Sequence, residues 1–301
     1  MRTEMDISIE KLKEQMCEVG RRIWRRGYCA GNEGNHSVRI GQDRVLCTPT
    51  GISKGFLEPD DICIINLEGQ QIELNQNQQR PTSEVLVHLA IYKHRPDVRA
   101  VIHSHPPHAT AFAVADVALP QGIHPEAEIF LGKVPTAKFA MPSTQALPDS
   151  IIPLIGDQTN TVLLGNHGSV SFSTDLIDAY YRLEILDNYC RILILCQQLG
   201  KTNVLDVAQV TELLEVKKKF GFEDDRLMCA PQGCITSDNQ DFLATFDVRP
   251  TTATCQCNGG HTITHQTPPP AINQTRPTDV TDDALTPIVQ AITDQIMAKI
   301  G

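Results

Sequence analysis

The sequence predicts an α/β fold of three layers, α/β/α, with helices on both faces of a central, mainly antiparallel sheet. An irregular C-terminal extension and a terminal amphipathic helix follow. Three observations lead there. Short apolar runs rich in Val and Ile, separated by glycine-containing turns of hairpin length, fill residues 31–66. Longer stretches with apolar residues at helical spacing alternate with further runs of that kind up to about residue 220. Beyond Gly221 the composition shifts and periodicity fades, so the boundaries fall at 1–221, 222–265, 266–281 and 282–301.

Taken in order, residues 6–27 carry Ile9, Leu12, Met16, Val19, Ile23 and Trp24 on one side of a helix, with Gly27 as its stop. Gly31-Asn32-Glu33-Gly34-Asn35-His36-Ser37-Val38-Arg39-Ile40 is a glycine-rich turn leading into a strand. Arg44 to Gly51 returns as a second strand ending in a tight turn, and Asp61 to Asn66 is a third. Pro81-Thr82-Ser83-Glu84 opens a helix running to about His94, with Thr82 or Ser83 as N-cap and Glu84 in the first turn. Ala100-Val101-Ile102-His103-Ser104-His105 is a strand stopped by Pro106-Pro107, and a helix through Ala111 and Val114 comes next. Thr161 to Phe172 reads as one buried strand interrupted by His167, and Asp175 to Leu199 as one long helix. Pro268-Pro269-Pro270 and Pro277 stiffen a linker over 266–281.

The formal charge of −10 argues against nucleic acid and anionic membranes as partners. No apolar run reaches transmembrane length, and the first residues lack the apolar core of a signal peptide. The ten cysteines are scattered, mostly in apolar surroundings, as buried thiols of a reducing cytoplasm would be.

The chemistry concentrates in a few places. Side chains on a strand alternate faces, so His103 and His105 point the same way. His167, with a glycine after it and Gly165-Asn166 before it, is the natural third ligand. Three histidines with an open position describe a catalytic zinc site rather than a closed structural one. Glu84 is the candidate acid/base, able to leave the metal and accept a proton. Asn35, Thr50, Gly51, Thr82 and Ser83 are small polar groups at tight turns and a helix start. Each alone is ordinary turn chemistry, but together they form a candidate phosphate pocket.

Five stretches in this order, Gly34-Asn35-His36-Ser37-Val38-Arg39, Thr48-Pro49-Thr50-Gly51, Pro81-Thr82-Ser83-Glu84, His103-Ser104-His105 and Asn166-His167-Gly168, give residues 6–220 a resemblance. The chain resembles the class II, zinc-dependent sugar-phosphate aldolases of the fuculose-phosphate aldolase and adducin-head family. The resemblance implies an α/β/α fold and a homotetramer with sites between subunits. It implies Zn(2+) on His103, His105 and His167, Glu84 as a mobile acid/base, and phosphate held by Asn35, Thr50, Gly51, Thr82 and Ser83. The expected activity is cleavage of a phosphorylated ketose, an L-fuculose or L-rhamnulose 1-phosphate, to dihydroxyacetone phosphate and lactaldehyde. Fuculose-phosphate aldolases carry a tyrosine that helps protonate the aldehyde half. Gly122-Ile123-His124-Pro125-Glu126-Ala127-Glu128 has none, and His124 is the candidate replacement. Two alternatives remain open: the same zinc site used for epimerisation, dehydration or decarboxylation, and a non-catalytic, adducin-like assembly module.

Cys229, Cys234, Cys255, Cys257, His261 and His265 could suggest a second metal site, but Cys255-Gln256-Cys257 lacks the Cys-x₂-Cys spacing of a zinc ribbon, and the region reads as an irregular arm with reduced thiols. At the end of the chain Thr286-Pro287 starts a helix with Ile288, Val289, Ile292, Ile296 and Ile300 on one stripe. Such a helix on a tether suits docking into a partner's groove. Residues 282–301 resemble the encapsulation peptides that carry enzymes into the lumen of bacterial microcompartments, where shell proteins would be partners; the alternative is a helix that packs on the protein's own tetramer.

Overall fold

In the computed structural model the described residues are 8–229 and 239–246. They lie in one compact unit that ends at Val248. The helices are α1 (Ile9–Arg25), α2 (Val85–His94), α3 (Pro107–Ala115), α4 (Pro125–Phe130), α5 (Ala146–Ile151), α6 (Leu176–Leu199), α7 (Val207–Lys219), α8 (Asp225–Cys229) and α9 (Gln240–Ala244). The strands are β1 (Asn35–Arg39), β2 (Val45–Cys47), β3 (Cys63–Ile65), β4 (Gln71–Glu73), β5 (Ala100–Ser104), β6 (Thr136–Ala137), β7 (Thr161–Leu164) and β8 (Gly168–Ser173). They form one eight-stranded sheet in the order β4-β3-β2-β1-β5-β8-β7-β6. Every pairing is antiparallel except β6 with β7.

The three layers follow from alternation along the strands. Val101 faces a core that includes Val87, Leu89 and Ile91 of α2 and Ile151 of α5. Its neighbours Ala100 and Ile102 face the opposite core, with Met16, Val19 and Ile23 of α1 and Ala179 and Leu183 of α6. β5 sits between β1 and β8 and is buried at all five positions, which suits its continuous apolar run.

Sequence expectation and structure differ at several points. Thr161 to Phe172 is not one interrupted strand but a hairpin, β7 turning at 165–167 into antiparallel β8. Asn166 takes φ 57 in that turn, the left-handed region that Asn tolerates better than most residues. Glu84 is not in the first turn of α2. It is the N-cap residue itself, without a capping hydrogen bond, while the Thr82 hydroxyl accepts from the Glu84 N–H at 3.3 Å. The helix therefore starts one step later, and the Glu84 side chain is released to the site. β4 and β6 were not expected, because runs of two or three residues carry no readable alternation.

Within 222–265, α8 and α9 are too short to show periodicity in the sequence. Phe242 of α9 is fully buried against Phe112, and Asn239 exchanges two hydrogen bonds with Gln121. Six cysteines among the described residues are free thiols, five of them buried. Cys234, Cys255, Cys257, His261, His265 and the segments 266–281 and 282–301 lie outside the described residues, as does the side chain of Cys229. No helix among the described residues is long and apolar enough to cross a membrane.

Candidate active site

The site forms where β1, β5 and the β7–β8 turn end side by side. Register places Asn35 of β1 opposite His103 of β5, and Ser104 opposite Ser169 of β8. His103, His105 and His167 thereby meet, with one ligand nitrogen from each within 4.8 Å of the others. Their ring centroids are 4.7 to 4.9 Å apart. Gly168 makes this approach feasible. A Cβ there would lie 2.6 Å from the His105 ring and 2.7 Å from the Ser104 carbonyl oxygen.

Each ring is set differently. His103 Nδ1 donates to the Ser169 carbonyl at 2.9 Å, since a carbonyl can only accept. His105 Nδ1 lies 2.7 Å from the Glu33 carboxylate, the other natural acceptor. Neutral rings that donate through Nδ1 carry lone pairs on Nε2, and those two Nε2 atoms face each other at 3.2 Å. Two lone pairs that close repel, and a cation between them removes the repulsion. His167 completes the set, with its Nδ1 buried and unpartnered. Burial lowers the affinity of His105 for a second proton and holds His167 at about 4, so both favour the neutral, ligating form. The donor set fits a metal held by three imidazoles with a position left open.

Glu84 looks onto the same point, 3.3 Å from His103 Nε2 and 3.7 Å from His167 Nε2. Burial alone would push its carboxyl up. The contact with His103, the nearness of His167 and the Asn35 amide donating at 3.1 Å outweigh burial and bring it to about 2. Behind it runs a buried network. Because Asn35 turns its NH₂ to Glu84, its Oδ1 accepts from His88 Nε2 at 2.5 Å. His88 Nδ1 then accepts from the Ser37 hydroxyl at 2.7 Å, which in turn meets Tyr92 Oη at 2.8 Å. His88 and Tyr92 stand on α2 and Ser37 on β1, so the contact between helix and sheet fixes the Asn35 amide, and the amide fixes the acid.

Beside Glu84 opens a cavity of about 160 Å³. All five residues expected to hold phosphate, Asn35, Thr50, Gly51, Thr82 and Ser83, line it, together with Glu84. The antiparallel bridge Pro49–Pro81 joins the two turns, with Thr50 N–H donating to Arg80 O and Thr82 N–H to Thr48 O. Ser143, from the loop after β6, donates to Ser83 Oγ at 3.2 Å. His124 is placed elsewhere. It is the N-cap of α4, packed on Tyr189 with Nδ1 3.3 Å from Glu126, and it does not line the cavity.

Sequence reasoning missed Glu33, Lys54 and His88. Glu33 was within reach: continuing the Asn35–His103 register by two residues puts Glu33 opposite His105. His88 follows Glu84 by one helical turn, which is also a readable signal. Lys54 lines the same cavity although it lies in no motif that was singled out.

Residues 14–194 match the family described as Class II Aldolase and Adducin N-terminal domain. The chain is 33% identical over 178 residues to an L-fuculose phosphate aldolase of Methanococcus maripaludis, which covers 59% of this chain and 93% of that protein. It is 32% identical over 186 residues to a 3-oxo-tetronate 4-phosphate decarboxylase of Haemophilus influenzae, covering 60% of this chain and 85% of that protein. Among solved structures, an L-fuculose 1-phosphate aldolase superposes with a TM-score of 0.64 at 26% identity, over 72% of this chain and all of that one.

Proposed function

The chain belongs to the class II aldolase and adducin N-terminal domain family, and on that premise we propose that it is a zinc-dependent aldolase. Its substrate is a deoxyketose 1-phosphate of the L-fuculose or L-rhamnulose type, cleaved to dihydroxyacetone phosphate and lactaldehyde. One observation carries this reading: three imidazoles and Glu84 gather at one edge of a cavity whose walls hold the five small polar residues. Zinc on His103, His105 and His167 would supply Lewis-acid polarisation of the substrate carbonyl.

The chain's own residues do the rest. Thr50, Gly51, Thr82 and Ser83 bind the phosphate, with Asn35 alongside, and so fix the distance from phosphate to carbonyl. Glu84 handles the proton at C3 of the dihydroxyacetone phosphate half. Its carboxyl is held low by contacts with His103, His167 and Asn35. When substrate oxygens displace it from those contacts, burial dominates and its proton affinity rises.

A second reading, decarboxylation of a phosphorylated 3-oxo acid, is favoured by the position of His124. Aldol cleavage trades a proton at the aldehyde oxygen. Residues 122–128 carry no tyrosine for that, and His124 does not line the cavity. Decarboxylation needs no proton at its leaving group, since carbon dioxide departs as such, and the enolate left behind takes one proton at carbon, which Glu84 would supply. The decarboxylase relative at 32% identity points the same way. The experiment is an assay of the metal-loaded protein on L-fuculose 1-phosphate, L-rhamnulose 1-phosphate and 3-oxo-tetronate 4-phosphate. Dihydroxyacetone phosphate released from a ketose phosphate is the expected result. Carbon dioxide from the oxo acid alone would replace the first reading with the second, and no turnover of any of the three would remove both.

The same reading includes a homotetramer and a cytoplasmic protein taken into the lumen of a microcompartment by residues 282–301. Residues 266–301 fused to a fluorescent protein and co-expressed with shell proteins should co-purify with shells. Diffuse fluorescence without co-purification would remove the targeting role.

A further inference from the structure

The cavity beside Glu84 has an electrostatic imbalance that its small polar residues do not explain. Two carboxylates, Glu33 and Glu84, line it, in a chain whose formal charge is −10. A phosphate monoester carries about −1.5 to −2 at neutral pH, so such walls would repel it. The one cationic side chain lining the cavity, among the described residues, is Lys54. Lys54 is 1% exposed, and its Nζ donates to the carbonyl oxygens of Asn32 at 2.9 Å and Ile52 at 2.6 Å. An ammonium has three protons, and those two bonds use two of them. Among the described residues no carboxylate stands within ion-pair distance of it. A buried cation without a direct ion pair, helped only by the longer-range pull of Glu33 and Glu84, is costly, which makes the position one that an arriving anion would relieve.

The placement is also built. The short turn Lys54–Phe56 is pressed against α1. A Cβ on Gly20 would lie 2.4 Å from the Lys54 carbonyl oxygen, and one on Gly55 would lie 2.6 Å from the Trp24 ring. Two glycines thus let helix and turn close on each other and fix where the lysine side chain starts. Its two carbonyl partners belong to the turn that leads into Asn35 of β1 and to the turn that carries Gly51, so the ammonium sits between them.

We propose that Lys54 is the charge that binds the phosphate group of the substrate and makes the pocket select phosphorylated over unphosphorylated compounds. This rests on the phosphate-pocket reading above and adds to it the residue that supplies the charge. Burial lowers the Lys54 ammonium to about 8, against the opposing pull of Cys29, Glu33 and Glu84. The groups around it are those three and His36, which burial holds at about 4 and therefore neutral at assay pH.

The test is the affinity of the metal-loaded full chain for inorganic phosphate by calorimetry, from pH 7 to pH 9, for the wild type and Lys54→Met. At pH 7 the variant should bind phosphate on the order of 10- to 100-fold more weakly, as loss of a charge-assisted bond predicts. Wild-type affinity should fall as pH rises through about 8, where the phosphate is already the dianion, and the variant should lack that step. A lysine that only tied the two loops together would weaken binding without a pH step. Equal affinity in the two proteins, or the same pH step in both, overturns the proposal. Should Lys54→Met fail to fold, the wild-type profile decides alone: affinity that is flat between pH 7.5 and pH 9 overturns it. A wild type that binds no phosphate sinks the phosphate-pocket reading itself, whereas a binding wild type matched by the variant sinks only the role of Lys54.

Discussion

At the histidine edge of the site, position is set by backbone pairing: β1, β5 and β8 are laddered together, and His103 and His105 are each held by a partner through Nδ1. At the anion edge, position is set by two turns tied through the Pro49–Pro81 bridge, and the polar groups are mainly small hydroxyls and backbone. The first edge resembles a mould, in which a small displacement of one ring spoils the ligand geometry. Lys54 aside, the second is a set of additive, individually modest donors. Substitutions of the three histidines should therefore act all-or-none, and those of their supporting partners and of the anion edge should act by degrees.

The largest expected effect breaks the mould. His103→Ala should lose bound metal and lower turnover about 10⁴-fold or more, measured by metal analysis beside the assay. A metal-free variant with full activity would refute the metal centre. Glu84→Gln should keep fold and metal yet lose on the order of 10²- to 10⁴-fold in turnover. A loss under about threefold would leave Glu84 as no more than the residue that starts α2. Glu33→Ala removes the partner of His105 Nδ1 but no ligand, so metal affinity should drop roughly 10- to 100-fold. Competition with a chelator reads this directly, and unchanged affinity would mean that strand register alone orients the ring. The smallest effect belongs to the anion edge. Ser83→Ala should raise KM about fivefold with kcat nearly unchanged, the worth of one neutral hydrogen bond. A collapse of kcat in that variant would show that the two edges are not separable.

Much of this site was legible before any coordinates. His103, His105, His167, Glu84 and the five small polar residues all sit in short motifs, and a motif is read where ligand types recur at strand or turn spacing. What sequence does not show is long-range partnership. The turn spacing from Glu84 marks His88, but not that it reaches Asn35 across 53 residues, and nothing marks Asp187 of α6, which caps the N-terminus of α3 by accepting from His108 N–H and Ala109 N–H across 79 and 78 residues. Sequence shows no Ser, Thr, Asp or Asn at the start of α3, because its cap comes from another element. Lys54 was passed over for a different reason: a lysine near a turn is ordinarily a solvated one, and only the approach of α1 through Gly20 buries it. The long helices α1 and α6 were visible from spacing. Their ends came out at Ile9–Arg25 and Leu176–Leu199, with Ser8 and Asp175 as caps.

The central position of β5 has a kinetic consequence. A strand bonded on both sides opens only when the sheet does, so the amides around Ile102 and His103 should exchange with solvent at the rate of global unfolding. His103 then could not fray away from an ion held there. His167 is different, since it stands on a three-residue turn at 165–167 and its Nδ1 has no partner to restrain the ring. Metal would enter and leave past His167, and the lifetime of an ion held there would be governed by that turn rather than by β5, which supplies His103 and ends one residue before His105.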